Sequence, residues 1–82
     1  MRKNEMYPSV IKVIAHDNYE LTVDFDNGEK GTLDMKPYLE MGVFQKLKNP
    51  TAFKSVRVSF DTVEWNGGID LDPEFVYEKC VG

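Results

Sequence analysis

The sequence predicts an α+β domain: an antiparallel β-meander in the order β-β-β-α-β-β-α, with its helices packed on one face of the sheet. Three observations carry this. Residues 19–25 alternate strictly, with Tyr19, Leu21, Val23 and Phe25 on one face and Glu20, Thr22 and Asp24 on the other. That is the period of a half-buried strand. Asp26-Asn27-Gly28 follows at once, the strongest short-range signal for a hairpin. From Pro37 onward the apolar spacing lengthens to that of a helix.

In chain order, Val10, Ile11, Val13 and Ile14 make residues 9–15 β-branched and mostly apolar, a first strand. Asp17-Asn18 supplies a turn, and 19–25 is the second strand. Asn27 and Gly28 both tolerate the positive φ of a type I′ turn, so 29–35 returns as a third strand with Leu33 and Met35 inward. Pro37 fits a first helical turn with Asp34 as its cap. Tyr38, Leu39, Val43, Phe44 and Leu47 then form one helical stripe against the sheet, with Gly42 as its weak point. Asn49 as N-cap, Pro50 first and Phe53 fourth give a single short turn of helix. Residues 56–60 alternate again as a strand, Asp61-Thr62 turns, and Val63-Glu64-Trp65 returns. Asn66-Gly67-Gly68 is a loop. Asp72 caps the last helix and Pro73 opens it, with Leu71 poised to staple onto Val76. Phe75, Val76, Lys79 and Cys80 complete that helix.

Eighty-two residues make one domain over 1–82, with 1–6 expected as a loose leader and 7–79 as the folded part. A chain this short has a thin core. Its 41% hydrophobic and 29% charged residues are ordinary for a globular protein, and five Phe, four Tyr and one Trp argue against disorder. Cys80 is the only cysteine, so no intramolecular disulfide forms, and the reducing cytoplasm is the expected compartment. No apolar run approaches the roughly 20 residues of a membrane span, and the start lacks the apolar stretch of a signal peptide. Neither export nor membrane insertion is expected.

Leu21-Thr22-Val23-Asp24-Phe25-Asp26-Asn27-Gly28-Glu29 resembles the L-x-V-x-F-x-N-G-E hairpin of the bacterial and phage family called domain of unknown function 2442. Downstream pieces match in order: Asp34 with Pro37-Tyr38-Leu39, Gly42-Val43-Phe44, Leu47-Lys48-Asn49-Pro50, and Phe53-Lys54 with Val56. Trp65-Asn66-Gly67-Gly68-Ile69-Asp70-Leu71-Asp72-Pro73-Glu74 completes a resemblance over residues 7–79. It implies this α+β fold and carries over no activity and no catalytic residue. Some relatives resemble fusions to, or neighbours of, helix-turn-helix or small toxin-like proteins. By association that implies a regulatory or antitoxin-like partner role.

Catalytic chemistry finds little support in the residues. His16 is the only histidine and has no Ser or Cys nearby in sequence to activate, and Cys80 reads as a helix-end residue. Asp24-x-Asp26-x-Gly28 begins like a calcium loop, but Gly28, Glu29 and Met35 then stand where an EF-hand needs an oxygen ligand, Gly and Glu. Gly67-Gly68 lacks both the dinucleotide fingerprint and the Walker lysine. No enzyme activity, metal or cofactor is expected.

Two residue groups remain as candidates. Lys46, Lys48, Lys54 and Arg57 give residues 41–58 a net +4 with no acid, between flanks 16–40 and 59–82 that each carry a net −5. Such an island could dock an acidic protein or, with help from Phe44, a nucleic acid. Its plainer account is pairing with acidic strands of the same domain. The overall charge of −4 makes nucleic acid the less favoured partner. The second group is the loop of Trp65, Asn66, Asp70 and Asp72, a candidate ligand site with Trp65 as stacking wall. Its plainer account puts Trp65 in the core and Asp72 at a helix cap. The leading expectation is a non-enzymatic protein-interaction module with an unidentified protein partner. Nucleic-acid binding through 41–58 and a small-ligand or enzymatic role for the 65–72 loop are the alternatives. Open edge strands and a thin core also favour a homodimer.

Overall fold

The computed structural model describes residues 7–80, so the leader expected at 1–6 lies outside the described residues. Strands β1 (Val10–Ala15), β2 (Glu20–Phe25) and β3 (Lys30–Asp34) form one antiparallel sheet in that order. Strands β4 (Arg57–Ser59), β5 (Thr62–Trp65) and β6 (Ile69–Asp70) form a second. Two 3₁₀ segments, Lys36–Tyr38 and Gly42–Lys48, and a one-turn helix α1 (Pro50–Phe53) connect the sheets. Helix α2 (Pro73–Cys80) ends the described chain. The α+β class and the element order stand as the sequence predicts. The strands, however, sort into two meanders, and Ile69–Asp70 pairs with β5 where a loop was expected. The sheets meet where the Val10 amide donates to the Asp61 carbonyl at 3.2 Å.

The alternation of β2 places Leu21, Val23 and Phe25 in the core. Each such side chain stabilises the fold by about 1.5–3 kcal/mol when fully buried. Trp65 and Phe53 join them from the second sheet and α1, with ring centroids 6.2 Å apart. Leu71 and Val76 are both buried at the start of α2, as a staple requires. Asn49 Oδ1 accepts the amides of Thr51 and Ala52, the capping expected of it.

Both turns of the first sheet are three-residue loops. The Phe25 amide donates to the Glu29 carbonyl at 2.9 Å and the Gly28 amide to the Phe25 carbonyl at 3.1 Å. Gly28 alone of that loop has positive φ, at 91°. The turn is therefore a type I turn closed by a left-handed glycine, not the expected type I′. The β1–β2 loop repeats the pattern: His16 amide to Glu20 carbonyl at 2.8 Å, Tyr19 amide to His16 carbonyl at 3.2 Å. There a tyrosine takes the left-handed position, with φ 65°.

Two further expectations are corrected. Residues 36–48 hold two 3₁₀ segments, Lys36–Tyr38 and Gly42–Lys48, instead of one α-helix. With about three residues per turn, Phe44 and Leu47 share the inner side, and Val43 turns outward. The β4–β5 turn falls on Phe60-Asp61 instead of Asp61-Thr62, because Thr62 pairs with Ser59. Buried Thr62 then donates from Oγ1 to the Leu71 carbonyl at 2.8 Å.

The end of α2 lies on β3 so closely that a Cβ on Gly31 would stand 2.3 Å from the Cys80 carbonyl oxygen. Tyr77, one turn earlier, donates its hydroxyl to Glu29 at 2.7 Å. Bonds from Asn27 and then Tyr77 hold the Glu29 carboxyl below its ordinary range.

Candidate interaction surface

The four basic candidates do not gather into one positive face. Lys54 pairs with Asp17 on the first sheet's turn, and that bond pulls the Asp17 carboxyl below its usual range. Lys48 pairs with Glu40 at 2.7 Å. Arg57 lies 3.7 Å from Glu64 and donates to Asn66 Oδ1 at 3.0 Å. Lys46 is exposed and has no carboxylate partner among the described residues. Exposed pairs of this kind add little stability. They do place acid beside most of the charge that was to meet a partner.

The 65–72 loop is also divided. Trp65 is fully buried and donates its indole N–H to the Phe53 carbonyl at 2.9 Å. Its ring therefore packs the interior and presents no stacking wall to a ligand. Asn66 is exposed, and its amide donates to Ser55 Oγ. Asp72 Oδ1 accepts the Glu74 amide at 3.0 Å, a cap on α2. Asp70 is exposed on β6 opposite Glu64.

The reactive side chains stand apart. His16 Nε2 lies 2.7 Å from Thr22 Oγ1 on the outer face of the first sheet, away from the core. Cys80 is half-buried, and burial pushes its thiol up to about 11, away from the thiolate that nucleophilic chemistry needs. Among the described residues, no three His, Cys, Asp or Glu side chains gather as a metal set, and no helix is long and apolar enough to cross a membrane.

A different residue marks the surface. Phe60, at the tip of the β4–β5 hairpin, is 99% exposed and has φ 55°. A left-handed backbone costs an L-residue with a Cβ about 1–2 kcal/mol. Phe60 borders a cleft of about 650 Å³ whose acidic lining includes Glu64, Asp70 and Asp72. On the other side of Asp70-Leu71-Asp72 lies a more apolar groove of about 440 Å³, lined by Tyr38, Met41, Phe44 and Phe75. Met41 at its mouth is 57% exposed. Sequence reasoning reached Asp70 and Asp72 and missed Phe60 and Met41. Phe60 read as the last residue of an alternating strand, and its one available signal was its place beside the turn residue Asp61.

A family model described as Protein of unknown function (DUF2442) matches residues 10–82. No curated protein and no solved structure matches the chain significantly. The chain belongs to the DUF2442 family.

Proposed function

We propose that this DUF2442 chain is a non-enzymatic protein-interaction module, used in a regulatory or antitoxin-like setting, whose contact with its partner centres on Phe60. One observation carries the reading: a large aromatic ring is fully exposed at a hairpin tip in a left-handed backbone. Glycine would hold that turn without the steric cost. The ring gains nothing from packing on this chain, so its benefit lies in contact with another molecule. Aromatic residues, Phe among them, are enriched in protein interfaces, and burying one removes a large apolar area from water.

The test is affinity capture from native lysate with the tagged wild type and with Phe60→Gly. The expected result is one small protein, near stoichiometric, retained by the wild type and lost by the variant. Identical profiles on both, or empty beads on both, would reject the reading. Nucleic acid that washes off with salt would instead favour the basic residues 46–57, since phosphate contacts weaken steeply as salt rises.

A further inference from the structure

We infer that Asp70-Leu71-Asp72 and the two hollows beside it form a docking groove for a segment of another protein that carries a Lys or Arg next to a large apolar side chain. The inference rests on the interaction reading above and names the chemistry of the partner. Charge complementarity is its first support. The cleft on one flank is walled by the carboxylates of Glu64, Asp70 and Asp72. Arg57 sits 3.7 Å from Glu64, a loose contact, and Asp72 spends one oxygen on the Glu74 amide. Asp70, exposed between them, has no ion-pair partner among the described residues. Asp61, Glu64, Asp70 and Asp72 all line this cleft, an acidic wall that disfavours phosphate.

Shape is the second support. The groove on the other flank is apolar, and Tyr38 and Phe75 wall it edge to face with ring centroids 5.3 Å apart. Its volume of about 440 Å³ accepts a leucine, methionine or aromatic side chain. Both hollows are lined in part by residues 70–72. A base and an apolar residue close together in one segment therefore reach both at once. The long alkyl stem of Lys or Arg can lie along exposed Phe60 while its charged head meets the carboxylates.

The experiment selects a displayed library of random short peptides on the full chain, then titrates the enriched peptide into isotope-labelled protein. The expected peptides pair Lys or Arg with Leu, Met, Phe or Trp, and their amide shifts cluster on residues 38–44 and 60–75. Asp70→Lys and Met41→Asp, both at exposed positions, should each weaken binding about tenfold, and added salt should weaken the wild type more than Asp70→Lys. Peptides without a base, shifts centred on Ile11 and Ile14, no enrichment, or unchanged affinity in Asp70→Lys would overturn the inference. A dimer dispersed by the same two substitutions would assign the groove to a second copy and overturn it as well. Failure of the groove stays distinct from failure of the module. A lysate partner retained through Phe60 but indifferent to Asp70→Lys and Met41→Asp rejects the groove alone. Equal retention by the wild type and Phe60→Gly, or none by either, rejects the interaction reading itself.

Discussion

Tyr19 and Phe60 are both aromatic residues in the left-handed backbone region at hairpin turns, with φ 65° and 55°. Their surroundings are opposite. The Tyr19 ring packs edge to face on Phe53 with centroids 5.1 Å apart, and its hydroxyl donates to the Lys48 carbonyl. Its backbone cost is offset inside the domain, because the same φ delivers the ring to α1 and locks the first sheet to the connecting segment. Phe60 is 99% exposed and makes no such contact. The same conformational expense thus serves the fold in one sheet and is left uncompensated in the other. An uncompensated cost at a surface residue points to a role outside the chain.

The comparison can be sharpened from the interior outward. Tyr19→Ala removes the ring and the hydroxyl contact and should cost about 2–3 kcal/mol, read by urea denaturation. Gly31→Ala tests the other close joint of the first sheet. Its Cβ meets the Cys80 backbone, which cannot yield without moving α2, so a loss of about 2 kcal/mol is expected. Tyr77→Phe should lower stability by less than either, by removing the bond to Glu29. It also changes the acid limb. Because the folded Glu29 carboxyl is held low, its contribution is present above the ordinary value of 4.5 and is lost as pH falls through the folded value. Tyr77→Phe raises that folded value toward the ordinary one, so stability should fall less between neutral and acid pH than in the wild type.

Much of the first sheet was legible in the sequence. Alternation fixed which side of β2 is buried, and Asn27-Gly28 marked its turn, although the loop proved one residue longer than a type I′ hairpin. Asn49-Pro50 and Asp72-Pro73 located both α-helices, because a cap residue followed by proline is local chemistry. Residues 36–48 misled because the four-residue spacing from Leu39 to Val43 imitates an α-helical stripe. A three-residue period is hard to tell from it over so short a segment. The basic island misled for another reason. Lys54 meets Asp17 across the fold, and no local pattern reveals such a pairing. Phe60 was illegible as a site because Phe is among the residues least expected at positive φ.

The most direct test of the contrast is the urea unfolding curve of Phe60→Gly beside that of the wild type. Glycine relieves the left-handed strain and gives back part of the gain through a more flexible unfolded chain. The midpoint should therefore rise, by an amount equivalent to about 0.5–1 kcal/mol. A fall in the midpoint would mean that Phe60 is held by contacts within its own domain, like Tyr19, and would contradict its assignment as an outward-facing anchor.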